Sequence, residues 1–237
     1  MTGKLIGVGV GPGDPELLTL KAVRLVQSAP VLAYTVNAEG ISYARQVAAA
    51  FITAEQTELP LAFSMDSDRS LRQAARAAAA ETVLQALQNG QDVVFLTEGD
   101  PLLYSTFQHL LALLPDDITV EVCPGVSAMF AAAAAAQFPL ALENQAMMVA
   151  PAEQALGHLA EWLADGKRLV LFKVSRWLKP LADEIRACGV PCRAALVERA
   201  STHNEIIQTD PEKWQDYASP YFSMVLLCGQ SAPETHP

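Results

Sequence analysis

The stretch Leu5-Ile6-Gly7-Val8-Gly9-Val10-Gly11-Pro12-Gly13-Asp14-Pro15-Glu16 constrains the fold more than any other part of this chain. Residues 5–10 form an apolar run suited to a strand covered on both faces. Gly11 and Gly13 permit backbone angles closed to other residues and let a ligand approach the main chain. Asp14 suits a helix N-cap, and Pro15 suits the first helical position, where no N–H is missed. The stretch therefore predicts a turn at the carboxyl end of a buried strand, where open α/β sheets place their ligands. A dinucleotide fingerprint does not fit. Glycines are needed at i, i+2 and i+5, but from Gly7 the last position is Pro12 and from Gly9 it is Asp14. Asp14 also sets a negative charge where a pyrophosphate would lie, which favours a neutral or cationic ligand.

The device recurs twice. A predicted strand over 92–97 runs into Glu98-Gly99-Asp100-Pro101, and one over 118–122 runs into Cys123-Pro124-Gly125-Val126-Ser127-Ala128. Between the first two turns the pattern predicts helices over 17–28, 42–51 and 68–88, with Asp68 capping the last and Asn89-Gly90 closing it. A short strand falls at 31–34, and 58–67 reads as irregular around Pro60. Helices over 102–114 and 128–136 follow the second and third turns. Beyond them come strands at 146–150, 168–174, 192–197, 205–208 and 221–228, and helices at 153–163 and 178–188. The last three strands lack long helices between them, so this half is expected to be mixed or antiparallel. The tail over 229–237 reads as frayed. A boundary near 115–117 gives two α/β domains, 1–115 with a parallel sheet and 116–237 with a mixed sheet, and a cleft between them.

The 237 residues are 51 % apolar, enough for one large or two modest cores, yet no uninterrupted apolar run is long enough to span a membrane. The start, running from Lys4 straight into a strand, leads us to expect no signal peptide and a cytoplasmic protein. Four cysteines without paired spacing fit a reduced compartment. A net charge of −10 argues against nucleic acid as a partner. A small anionic substrate held by a local basic cluster is compatible with it.

No metal site is expected. Cys188 and Cys192 have no second Cys or His pair to complete a set, and His109, His158 and His203 are scattered. No G-x-S-x-G elbow supports a serine nucleophile. Arg69, Arg72 and Arg76, at i, i+3 and i+7, share one helix face. They read either as a solvated stripe or as a clamp for carboxylates, which arginine grips bidentately. Arg45, Lys173 and Arg176 are further candidates.

The three turns together resemble those of the tetrapyrrole (corrin/porphyrin) methyltransferases. The likeness is carried by Gly9-Val10-Gly11-Pro12-Gly13-Asp14-Pro15-Glu16-Leu17-Leu18-Thr19, by Gly99-Asp100-Pro101 and by Pro124-Gly125-Val126-Ser127, in the family's order. A narrower likeness, to members that methylate precorrin-2 at its C(20) meso carbon, rests on Ala33-Tyr34, Ser42-Tyr43-Ala44-Arg45, Glu98 to Pro101 with Tyr104-Ser105-Thr106-Phe107, and Pro220-Tyr221-Phe222-Ser223-Met224. The resemblance implies two α/β domains, the first on the substrate side of a cleft and the second on the cofactor side. It also implies a homodimer, a tetrapyrrole substrate and S-adenosyl-L-methionine as cofactor. Carried over by position, the cofactor contacts are Pro12, Glu98, Gly99, Asp100, Leu103, Ser127, Ala128, Lys173 and Ala200. The sequence departs from the family's Met near Lys173 and Gly near Ala200. Substrate carboxylates would meet Arg45, Arg69, Arg72 and Arg76. Tyr104, Tyr34, Glu98 and His109 are the candidates for taking the proton lost from C(20), unranked. A cobalt-containing form of the substrate and a different ring carbon are the alternatives within the family. A non-catalytic binding protein and an NAD-linked enzyme are those outside it. A ligand with a sulfonium and no phosphate suits turns bearing Asp14, Glu98 and Asp100.

Overall fold

The computed structural model describes residues 2–63 and 68–229 and divides into two units, 1–128 and 129–237. In the first unit the chain runs β1 (Leu5–Gly9), α1 (Leu20–Ser28), β2 (Val31–Val36), α2 (Tyr43–Val47), β3 (Thr57–Ala62), α3 (Arg69–Gln88), β4 (Val93–Thr97), α4 (Thr106–Leu111) and β5 (Val120–Cys123). Among the described residues these strands form one parallel sheet in the order β3-β2-β4-β1-β5.

Alternation along the strands builds a core on each face. Ile6, Val8, Leu32, Val94 and Leu96 pack with Ala22 and Val26 of α1 and Ala44 and Val47 of α2. Leu5, Val31, Val93 and Phe95 pack with Val83 and Leu87 of α3 and Phe107 and Leu110 of α4. Gly7 breaks the apolar run of β1 because the Phe107 ring occupies the place of its side chain: an added Cβ would lie 2.5 Å from ring carbons. The chain thus leaves β1 and β2 toward one face and β3 and β4 toward the other. Since β1 and β4 are neighbours, their carboxyl ends form the switch point at which such sheets open a crevice.

Several local expectations shift. The region read as irregular contains β3, an edge strand on which Pro60 stands opposite Tyr34. An edge tolerates the missing N–H of proline. Residues 64–67 of that region lie outside the described residues. Asp14 caps only a 3-10 turn, Pro15–Leu17, and Thr19 caps α1 three residues later than expected. Likewise α4 begins only after Ser105, because Tyr104 adopts φ 52° and interrupts the helix expected from 102. The division falls after Ala128 rather than near 115–117, since β5 pairs with β1 and completes the first sheet.

The second unit opens on α5 (Ala128–Ala135) and holds β6 (Met147–Pro151), α6 (Ala152–Ala155), α7 (Leu159–Ala164), β7 (Arg168–Phe172), α8 (Leu178–Ala187), β8 (Cys192–Glu198), β9 (Ile206–Gln208) and β10 (Ser223–Gly229). Among the described residues the strand order is β6-β7-β10-β8-β9, parallel between β6 and β7 and antiparallel at the other pairings. This is the mixed sheet expected from the scarcity of helices late in the chain. Leu169, Leu171, Ala194, Leu196, Val225 and Leu227 form its core with the helices and the fully buried Trp214. The helix expected over 153–163 is split at Gly157 (φ 83°). The Glu184 carboxylate of α8 accepts from the Gly157 and Leu159 amides at 2.8 and 3.0 Å and satisfies the break. The tail beyond Gly229 lies outside the described residues.

Candidate functional site

The three glycine turns meet at the switch point of the parallel sheet. After β1 and β4 the chains bridge once more: the Gly99 amide donates to the Gly11 carbonyl at 2.8 Å, and the Gly11 amide donates back at 3.4 Å. Both glycines hold positive φ, 83° and 64°. The third turn packs into this bridge. A Cβ on Gly125 would overlap the Gly99 carbonyl oxygen and lie 2.8 Å from the Gly9 backbone, while one on Gly9 would lie 2.6 Å from the Gly125 nitrogen. Asp100 ties the turns together, its Oδ1 accepting from the Leu102 amide at 2.9 Å and its Oδ2 from the Gly125 amide at 3.1 Å. Ser105 supports the second turn from below, sharing a 2.8 Å hydrogen bond with Thr97 and accepting from the Phe107 amide.

The charges around these turns suit a cation better than a phosphate. Asp14 Oδ1 accepts from the Glu16 amide at 2.8 Å, so the helical turn after β1 is closed by its own carboxylate. Pro12 is buried, and its carbonyl receives the Tyr43 hydroxyl at 3.5 Å. Glu98 continues the alternation of Val94 and Leu96 and so faces the α2 side. It is half-buried, and burial pushes its carboxyl above the ordinary value of 4.5, opposed by its own backbone amide and that of Ala44.

The first unit thus brings Pro12, Glu98, Gly99, Asp100, Ser127 and Ala128 to the ends of β1, β4 and β5, with Leu103 in the turn between Asp100 and α4. Lys173 and Ala200 belong to the second unit, at the ends of β7 and β8. There the backbone is unusual: Lys173 has φ 57°, and Arg199 and Ser201, at 45° and 66°, flank Ala200. Non-glycine residues in this region concentrate at functional sites.

The other sequence candidates separate. Tyr34 and Arg45 meet on Glu58 of β3. The Tyr34 hydroxyl donates to Oε2 at 2.7 Å, and Arg45 grips the carboxylate through Nε at 2.9 Å and Nη2 at 3.0 Å. This pairing lowers the pKa of Glu58 and raises that of Arg45. Sequence reading missed Glu58 because it missed the strand that carries it. Arg69, Arg72 and Arg76 lie on α3, the first exposed and the others half-buried. That helix packs on the opposite face of the sheet from α2, so they do not join Arg45 in one cluster. His109 is exposed on α4, and Tyr104 is 44 % exposed in the turn before it. Glu198, at the end of β8, is a further residue that sequence reading missed. It is 1 % exposed and its Oε1 has no hydrogen-bond partner among the described residues, an expensive arrangement that no sequence pattern announces.

A parallel sheet whose ligand-side turns interlock through glycines and carry carboxylates belongs to a defined class. The model of the Tetrapyrrole (Corrin/Porphyrin) Methylases matches residues 4–213, and the chain belongs to that family. Within it, the chain is 37 % identical over 235 residues to the precorrin-2 C(20)-methyltransferase of a Sinorhizobium species, covering 96 % of each chain. It is 30 % identical to the cobalt-precorrin-2 C(20)-methyltransferase of Salmonella typhimurium, over 96 % of this chain and 97 % of that one. The uroporphyrin-III C-methyltransferase of Thermus thermophilus, solved in complex with S-adenyl homocysteine, shares the fold at a TM-score of 0.69 and 23 % identity, over 95 % and 92 % of the two chains.

Proposed function

We propose that this protein transfers a methyl group from S-adenosyl-L-methionine to the C(20) meso carbon of precorrin-2 in corrin-ring biosynthesis, giving precorrin-3A. The observation that carries this reading is the full-length likeness to a precorrin-2 C(20)-methyltransferase. The interlocked glycine turns supply the cofactor side of the argument. Their acidic residues and the self-capped helical turn fit a sulfonium and a nucleoside and disfavour a dinucleotide. When bound, S-adenosyl-L-methionine supplies an electrophilic methyl group. Pro12, Glu98, Gly99, Asp100, Leu103, Ser127 and Ala128 are the residues that hold it on the first unit, and Lys173 and Ala200 are those proposed on the second. Arg69, Arg72 and Arg76 of α3 are proposed to meet the substrate's carboxylates, while Arg45 is held by Glu58.

Catalysis then rests on alignment. The substrate carbon is made nucleophilic by the ring nitrogens conjugated with it. The protein's task is to hold the reacting atoms in line, roughly 3–3.5 Å apart, and to exclude water around them. The deciding experiment is incubation with precorrin-2 and methyl-13C-labelled S-adenosyl-L-methionine, with the label located by NMR. Label on C(20) is expected, and label on any other carbon refutes the reading. The Salmonella relative's name motivates a parallel incubation with the cobalt-containing substrate. Faster turnover on that substrate reassigns the ring metal without changing the carbon. A homodimer and a cytoplasmic location belong to the same proposal. Sedimentation at micromolar concentration, expected to give twice the 25.4 kDa chain mass, tests the first, and fractionation of the source cells tests the second.

A further inference from the structure

C(20) of the substrate carries a hydrogen that must leave after methylation. The three acids of the glycine turns differ in what occupies them. Asp14 is engaged as the cap of the Pro15–Leu17 turn. Both oxygens of Asp100 accept backbone amides that fix the second and third turns. Glu98 ties no two turns together: its carboxylate meets its own backbone amide and that of Ala44 in the first turn of α2. It stands where β4 gives way to the Gly11–Gly99 bridge, on the side of α2, half-buried yet reachable. The other candidates serve elsewhere. Tyr34 donates to Glu58, His109 lies on the helix of the opposite sheet face, and Tyr104 is 44 % exposed in the turn before that helix. Resting on the C(20) reading above, we infer that the Glu98 carboxylate is the group that accepts the C(20) proton once the new carbon–carbon bond has formed.

Atoms and electrons balance in this step. A π pair of the ring forms the C(20)–CH3 bond, and the S–CH3 pair stays on sulfur, leaving a neutral thioether. The C(20)–H bond then breaks, its pair restores the conjugation of the ring, and the proton moves to a Glu98 oxygen and on to water. Burial, which raises the Glu98 pKa, makes the carboxylate a stronger base than an exposed one. The charged groups on neighbouring elements are committed: Arg45 of α2 to Glu58, Asp14 and Asp100 to backbone amides. The acid limb that reports Glu98 is the one present in the wild type and lost in Glu98→Gln.

Glu98→Gln and Glu98→Asp test this, with cofactor affinity by calorimetry, kcat over pH 5–9, and the isotope effect on C(20)-deuterated precorrin-2. The expected Gln variant, whose side chain stays beside the cofactor, weakens S-adenosyl-L-methionine binding by less than about tenfold but loses about 10²–10⁴-fold in kcat, the range of a general base. Its acid limb is lost, and a primary isotope effect absent from the wild type emerges. The Asp variant recovers part of the rate. A Gln variant with wild-type kcat overturns the inference, as does one whose affinity falls as far as its rate, which would make Glu98 a cofactor ligand only. Wild-type protein that leaves C(20) unmethylated refutes the functional reading and this inference with it. Wild-type methylation at C(20) beside an unimpaired Gln variant refutes the inference alone.

Discussion

Gly125 has no room for a methyl group. Its added Cβ would overlap the Gly99 carbonyl and press on Gly9, and both neighbours are backbone in a hydrogen-bonded bridge that cannot rotate away. Gly125→Ala should therefore lose about 1–3 kcal/mol of stability, the usual range for overpacking, together with most of its cofactor affinity. Urea unfolding and calorimetry check the two effects separately. Glu198 carries a second residue-level prediction. Burial raises its carboxyl pKa above 4.5, against the Tyr217 hydrogen bond and the Arg199 charge that lower it. The folded protein therefore holds this proton more tightly than the unfolded one, and stability falls as pH rises from 4.5 through the folded value. Glu198→Gln removes that loss. The variant should match the wild type near pH 4 and be more stable at pH 8, as read by urea midpoints at the two values. Glycines were legible in the sequence because only a turn or a close approach explains three of them at strand ends. Glu58 and Glu198 were not, because a single acid in a strand looks the same whether it faces water, an arginine or a core.

At the scale of elements, Asp100 decides how the second and third turns sit together. Its carboxylate accepts two amides, from Leu102 and Gly125. Asparagine accepts through one atom only and would aim its NH2 at an N–H. Asp100→Asn should cost about 1.5–3 kcal/mol, as for hydrogen bonds to charged groups, and weaken cofactor binding about tenfold or more. Thermal unfolding with and without S-adenosyl-L-methionine measures both. Helix starts were the least legible elements. Asp-Pro promised a helix at residues 14 and 100, and both times it made a turn, with the helix delayed to the next hydroxyl cap, Thr19 or Ser105. The two motifs look alike in sequence, but the path of the chain after each depends on packing: Phe107 must reach the gap left by Gly7. The edge strand β3 escaped notice because Pro60 is a breaker everywhere except at an edge.

For the whole molecule, the parallel and mixed sheets were legible from the spacing of helices between strands, since parallel neighbours need long crossovers. The division between the units was less so. Pro115 and Asp117 have the composition of a linker, but the strand after them is needed on the far side of β1, a demand that belongs to the sheet order and to no local pattern. The same sheet order places three distant turns, near residues 12, 99 and 125, in one site, so a ligand held there couples segments spread over the first half of the chain. Such a ligand binds only the folded protein and stabilises it by mass action. At a hundred times its dissociation constant, the gain is about 2.7 kcal/mol. For a chain of this size each 1 kcal/mol moves Tm by about 2–4 °C, so S-adenosyl-L-methionine should raise Tm by about 5–11 °C. NAD at the same concentration should leave it unchanged, because Asp14 and Asp100 fill the amides that a pyrophosphate would need. Differential scanning calorimetry with the two ligands in parallel decides the matter, and a shift with NAD alone would return the chain to the dinucleotide-binding class that its glycine spacing excludes.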